Sequence, residues 1–168
     1  METRIRHAEA RDAEALNRIY NHYIRETAIT FDIEPWSRDQ RLAWLEQFHT
    51  RGRHQCFVAE TGDRGVVGWS WSHAFRTKAA YETSVETSIY LDPDVTGKGI
   101  GTQLYQVLLR AVEAEDTRRA LAGITLPNAG SVALHEHFGF TTVGVFTEVG
   151  RKFDRYWDVI WLEKNLET

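Results

Sequence analysis

Residues 88–109 constrain this chain more than any other stretch. An apolar run, Ser88-Ile89-Tyr90-Leu91, leads to Val95-Thr96-Gly97-Lys98-Gly99-Ile100-Gly101-Thr102. The amphipathic run Leu104-Tyr105-Gln106-Val107-Leu108-Leu109 follows. Strand, glycine-rich loop and helix in that order form an anion site. Gly97, Gly99 and Gly101 let the main chain turn tightly and approach a ligand closely. The first turn of the new helix presents N–H groups that have no intrahelical partner. Two phosphate-binding patterns are excluded. A Walker A loop needs Gly-Lys-Ser/Thr at its end, whereas Lys98 lies inside the glycine cluster; a dinucleotide fingerprint needs Gly-x-Gly-x-x-Gly, and the spacing Gly99-x-Gly101 breaks it. A tight turn with no ligand needs fewer glycines than this loop supplies.

Periodicity extends the reading in both directions. Strands are expected at 4–8, 55–60, 66–72, 84–91, 120–126, 141–149 and 156–162. Helices are expected from Asp12, as cap, to about Glu26, from the capping box Ser37-Arg38-Asp39-Gln40 to about His49, from Gly101 to about Glu115, and from Ser131 to near Phe138 with Gly139 as stop. The second helix is expected to bury Leu42, Leu45 and Phe48. The order β-α-α-β-β-β-α-β-α-β-β mixes hairpins with βαβ crossings. It predicts an α/β (α+β) chain with a mixed, mostly antiparallel central sheet and helices on both faces. No repeat or linker interrupts it, so residues 1–168 are expected to form one domain.

Charge and cysteine content narrow the functional classes. With 20 basic and 24 acidic residues the net charge is -4, which leaves no footprint for nucleic acid. The opening Met-Glu-Thr-Arg-Ile-Arg has no apolar segment of signal-peptide type, and no run is long enough to span a membrane. A cytoplasmic chain without nucleic-acid or membrane partners is expected. Cys56, the single cysteine, sits in Cys56-Phe57-Val58-Ala59 and reads as a buried structural thiol. His135-Glu136-His137 does not have metal-ligand spacing, because residues two apart do not share a helix face; no metal is expected.

The loop resembles the pyrophosphate-binding loop of the GCN5-related N-acetyltransferases, Gln/Arg-x-x-Gly-x-Gly/Ala, as Thr96-Gly97-Lys98-Gly99-Ile100-Gly101, with Thr96 departing from Gln or Arg. A second signature, Asn-x-x-Ser-x-x-Leu-Tyr-Glu-x-x-Gly-Phe, is similar to Asn128-Ala129-Gly130-Ser131-Val132-Ala133-Leu134-His135-Glu136-His137-Phe138-Gly139-Phe140, with His135 in place of Tyr. The stretches 21–24, 30–35, 78–82, 86–90 and 125–128 resemble the phosphinothricin acetyltransferase branch, whose members acetylate the α-amine of phosphinothricin or methionine sulfoximine. The element order matches that family over the whole chain.

The resemblance implies an acetyl-CoA cosubstrate and a small amine acceptor. It implies that main chain at Ile89, Tyr90 and Leu91 holds the cofactor arm and the oxyanion, and that amides of Gly97, Lys98, Gly99, Ile100, Gly101 and Thr102, next to Thr96, hold the diphosphate. Asn128 and Ser131 contact the pantetheine, and His135 takes the place of the group that protonates the leaving thiolate. Glu86 occupies the position of the branch's general base, and the residues themselves agree: a charged side chain in mid-strand within Ser84-Val85-Glu86-Thr87-Ser88-Ile89. Arg76, Lys78 and Tyr81 form either an anion site for the acceptor or a solvated basic loop, and Phe31 is placed as a pocket wall. Asp32 stands where the branch often has a cation. Trp69 and Trp71 share a strand face and either line the acceptor site or pack the core. The strand Tyr156-Trp157-Asp158-Val159-Ile160-Trp161 is apolar on both sides and predicts burial against a second copy in a homodimer. Acetylation of protein N-termini or polyamines, and non-catalytic CoA sensing, remain the competing functions.

Overall fold

The computed structural model describes residues 3–166. Its elements are β1 (Thr3–His7), α1 (Ala13–Glu26), α2 (Arg38–Leu45), β2 (Cys56–Thr61), β3 (Gly65–Ala74), β4 (Ser84–Leu91), α3 (Ile100–Glu113), β5 (Arg119–Thr125), α4 (Ala129–His137), β6 (Thr141–Lys152) and β7 (Arg155–Asn165). The strand and helix order is the expected one. The seven strands found among the described residues form one sheet ordered β1-β2-β3-β4-β5-β7-β6. Every neighbour pair is antiparallel except β4 and β5.

Helices cover both faces because the strands alternate apolar side chains on both. Phe57, Ala59, Val67 and Val85 pack with Leu104, Tyr105, Leu108 and Val112 of α3. Cys56, Val58 and Trp69 project to the opposite side, onto Leu16 and Ile19 of α1. Cys56 is buried there, and burial pushes its thiol pKa up, as an inert structural thiol requires.

Local chemistry departs from the expected boundaries in four places. Asp12 stands at the start of α1, but its carboxylate does not cap the helix: it accepts from Arg6 at 2.8 Å through both oxygens and from Glu9 N–H. Ser37 and Gln40 do form the capping box. α2 closes at Leu45, and its tail to Phe48 is held by i→i−3 bonds. Its most buried side chain is Arg41, at 1% exposure, while Leu42, Leu45 and Phe48 are half-buried. β6 and β7 run on into a hairpin closed at Phe153 and Asp154, both with positive φ (54° and 55°), a turn that sequence usually marks with Gly or Asn.

β7 is an interior strand, paired with β5 on one side and β6 on the other. That pairing takes both edges of the strand; on its faces Val159 is buried, Trp157, Ile160 and Trp161 are half-buried and Tyr156 is exposed. The sheet edge beside β7 is β6, where Val143, Val145, Phe146 and Val149 are 48–59% exposed. Among the described residues no helix is long and apolar enough to cross a membrane.

Candidate active site

The site begins where β4 and β5 part. Their parallel ladder has three register pairs, Ser84–Arg119, Val85–Ala120 and Glu86–Leu121, although both strands continue. Thr87 ends it: its Oγ1 donates to Leu121 O (3.3 Å) and accepts from Tyr105 Oη (2.7 Å), so a side chain takes the carbonyl of the next rung. Which main-chain groups become free follows from strand alternation. Asp92 N–H donates to Val67 O and Phe75 N–H to Ser84 O, so even-numbered residues of β4 turn toward β3, whereas Thr83 O accepts from Arg118 N–H on the β5 side. Thr87, Ile89 and Leu91 therefore point their N–H and C=O groups into the gap. Leu91 O is taken by Tyr23 Oη at 2.7 Å; Tyr90 turns its main chain to Trp69 of β3.

A cleft of about 300 Å³ fills the gap. Ile89, Tyr90, Leu91, Thr96, Asn128, Ser131 and His135, all singled out from sequence, line it. Asn128 is the N-cap of α4, its Oδ1 accepting from Ser131 N–H at 3.2 Å. The glycine loop lies at the mouth. Gly97 and Gly99 take φ of 75° and 79°, a region costly to other residues, and Gly99 is the N-cap of α3 without a side-chain cap. The first α3 amides, from Ile100 to Thr102, thus point outward without helical acceptors. Gly97, Lys98, Gly99, Ile100, Gly101 and Thr102 do not line the cleft itself. Lys98 Nζ donates to Asp94 O (3.0 Å) at the surface, and Thr96 Oγ1 to Pro93 O (3.1 Å). Gly101 permits close packing, since a Cβ there would stand 3.1 Å from Leu91 Cδ1.

Glu86 sits at the apex of the gap, on the face opposite α3. Its carboxylate has no hydrogen bond or ion pair among the described residues. Burial raises its pKa above the ordinary carboxylate value, against the pull of Arg76. Arg76 is exposed, stacks 4.8 Å over Phe75 and makes no ion pair among the described residues. Lys78 and Tyr81 belong to the exposed turn that follows; Tyr81 packs edge-on against Phe75 at 5.9 Å. Phe31 does not line the cleft: its ring covers Gly150, in a loop held by Lys152 Nζ donating to Thr30 O (2.8 Å), and from this segment it is Ile29 that reaches the cleft. Asp32 accepts from Tyr20 Oη and Trp36 Nε1 and so braces that loop. Trp69 is fully buried beneath Trp71 and Tyr90, three nearly parallel rings 5.3–5.8 Å apart, so its role is packing.

His135 lies at the inner wall, 2% exposed. Its Nδ1 is 2.7 Å from Ser131 O. A carbonyl can only accept, so Nδ1 carries the proton; Nε2, buried and without a partner among the described residues, keeps its lone pair in the neutral ring. Burial lowers the imidazole pKa, which holds that state at neutral pH. Nε2 of His135 is therefore an acceptor.

Sequence reasoning passed over Thr87, Tyr105 and Tyr23. A signal existed for the first: Val85, Ile89 and Leu91 share the core face of β4, and Thr87 interrupts them with a hydroxyl. Tyr105 likewise stands in a buried helix stripe, where a phenol needs a partner. Among the described residues no three His, Cys, Asp or Glu side chains converge as a metal group.

Residues 5–161 match the family model "Acetyltransferase (GNAT) domain". The chain belongs to the GNAT acetyltransferases, and is an N-acetyltransferase of their phosphinothricin and methionine sulfoximine branch. It is 46% identical to the phosphinothricin N-acetyltransferase of Streptomyces coelicolor, over 98% of this chain and 97% of that one. It is 32% identical to the L-methionine sulfoximine/L-methionine sulfone acetyltransferase of Pseudomonas aeruginosa, over 99% and 96%. Among solved structures, the phosphinothricin acetyltransferase of Sinorhizobium meliloti in complex with acetyl-CoA superimposes with a TM-score of 0.92 at 30% identity, covering 98% of this chain and 89% of that one.

Proposed function

We propose that this enzyme transfers an acetyl group from acetyl-CoA to the α-amine of a small amino-acid-like acceptor, with Glu86 as general base and direct attack of the amine on the thioester. The observation that carries this reading is the apex of the gap: an unpaired, half-buried carboxylate where freed main chain begins. The residues present suit acetyl-CoA. Outward amides at the start of α3 offer a diphosphate site, the cleft takes an extended arm, and the buried Nε2 of His135 lacks the donor that an amide-bearing arm or a thiol supplies.

An α-ammonium has a pKa of about 8, so it binds charged and must lose a proton before it attacks. Glu86 accepts that proton. Each unit by which burial raises the carboxyl narrows the mismatch by about 1.4 kcal/mol. The C–N bond forms as the C–S bond breaks; the amine's second proton leaves for solvent and the thiolate departs. N–H groups of Ile89 and Leu91 face the gap and stabilise the carbonyl oxygen as it gains charge. His135 acts from its neutral state, orienting the arm by accepting a hydrogen bond. Arg76 offers a bidentate partner for the acceptor's carboxylate, with Lys78 and Tyr81 beside it. The S. coelicolor and P. aeruginosa relatives, named for phosphinothricin and methionine sulfoximine, support an acceptor of this size. One catalytic domain working in the cytoplasm suits the single sheet and the reduced, buried Cys56.

Thiol release from acetyl-CoA across phosphinothricin, methionine sulfoximine, amino acids, spermidine and short peptides tests this. Turnover on α-amino acids or their analogues is expected. Turnover only on peptides or spermidine would overturn the acceptor assignment, and silence throughout would overturn catalysis.

We also propose a homodimer paired along β6. It is an edge strand of 12 residues with exposed apolar side chains, the kind of edge that chains normally protect. Size-exclusion with light scattering should give twice 19.4 kDa at micromolar concentration; a monomer at every concentration would refute it.

A further inference from the structure

A second cavity lies on the far side of the apex from the cleft. This groove of about 280 Å³ is bounded by Phe75, Arg76, Leu121, Trp161 and the β6 segment 143–146. It continues the reaction centre. Leu121 is the register partner of Glu86, so the groove starts on the strands where the cleft stops: Thr87 and Ala122 line the cleft, while Leu121 lines the groove. The Trp161 indole lies flat on Gly123, about 3 Å from where a Cβ would stand, and packs edge-on to Phe75 at 6.0 Å. Gly144, paired with Trp161, leaves the middle of the opposite wall without a side chain, and nothing lies within 4 Å of where its Cβ would be.

The chemistry of this groove is one-sided. Its walls are aromatic rings and aliphatic side chains, and Arg76 is the one charged residue lining it. A carboxylate satisfies Arg76. A second anionic group deeper in the groove would meet no second cation, and the one donor side chain there besides Arg76 is the Trp161 indole N–H, so burying a charge in it is unfavourable. An apolar side chain exchanges water for Trp161, Phe146 and Leu121.

Resting on the acceptor reading above, we propose that the groove is the acceptor's side-chain site and that the preferred acceptor is an α-amino acid with a bulky apolar or aromatic side chain, of the leucine, methionine or phenylalanine class. Its amine lies toward Glu86, its carboxylate on Arg76 and its side chain between Trp161 and β6. This ranks such amino acids above acceptors that end in a phosphinate.

The test compares kcat/KM, at saturating acetyl-CoA, for L-phenylalanine, L-leucine, L-methionine, L-alanine and phosphinothricin, in the wild type and in Gly144→Leu. The added side chain has room and occupies the groove, and a thermal melt verifies the fold. The wild type should favour leucine and phenylalanine over both alanine and phosphinothricin by about tenfold or more, the scale on which apolar pockets discriminate. In Gly144→Leu the leucine-to-alanine ratio should fall at least tenfold, mainly through KM. A wild type that prefers phosphinothricin, or a variant that leaves the ratio unchanged, overturns the groove assignment while the α-amine reading stands. No turnover on any α-amino compound overturns both.

Discussion

Replacing Glu86 by Gln should lower kcat by about 10²- to 10⁴-fold, the usual contribution of a positioned base, while the KM for acetyl-CoA stays within about twofold. The same substitution should raise the melting temperature at neutral pH. Burial lifts the Glu86 carboxyl above its ordinary value of 4.5, so the folded protein favours the protonated form more than the unfolded chain does. The stability linked to that proton is complete below the unfolded pKa and is lost as pH rises through the folded one. Gln is neutral throughout and loses nothing. The gain from Glu86→Gln is therefore absent at acid pH, grows between the two pKa values and is constant above them. Melts at pH 4 and pH 8, with steady-state rates, check both halves. Equal melting temperatures at pH 8 together with near-normal turnover would remove Glu86 from the mechanism.

Arg41→Ala should destabilise the fold by about 3–5 kcal/mol, a loss of roughly 10 °C or more in melting temperature. The Arg41 guanidinium lies 4.2 Å from the Trp36 ring, 4.6 Å from Trp44 and 4.9 Å from Tyr20, and its Nε donates to Asn17 Oδ1 at 2.9 Å. Desolvation brings its pKa down to about 10, so it remains charged at neutral pH and gains from the ring faces. Truncation removes those contacts, opens a cavity among Tyr20, Trp36, Trp44 and Trp69 and leaves the Asn17 oxygen unpaired. Arg41→Met refills the volume and also removes Nη2, which has no partner among the described residues, so its loss should be less than half as large. Urea titration of the three proteins measures the difference. Equal losses in both variants would mean that charge, and not volume, is what Arg41 supplies.

Most of the strand and helix order was legible because this chain keeps strict periods: Val85, Ile89 and Leu91 on one side of β4, Leu104, Leu108 and Val112 along α3. The glycine loop and the Asn128 cap were legible because their chemistry is local. Strand order in space was not. Period-two patterning shows that Tyr156–Trp161 has two apolar faces, yet an interior strand and a dimer edge look alike in it, and only the pairing with β5 and β6 separates them. Arg41 defeated the helix pattern because a buried cation is rare and its cage comes from three segments, α1, the loop at Trp36 and β3. The hairpin tip was missed since Phe153 and Asp154 adopt positive φ without the usual residues. The His135 tautomer depends on a carbonyl one helical turn away, a contact no motif encodes.

The three-pair ladder between β4 and β5 also divides the sheet into two half-sheets, β1–β4 and β5–β7–β6, with little backbone holding them together. A ligand seated between the strands touches both halves and acts as a clasp. Its binding free energy then becomes cohesion of the protein itself, about 2.7 kcal/mol at a concentration one hundred times the dissociation constant. On the proposed placement of the acyl donor, resistance to unfolding and proteolysis rises with occupancy of the gap, by acetyl-CoA or by the CoA left after transfer.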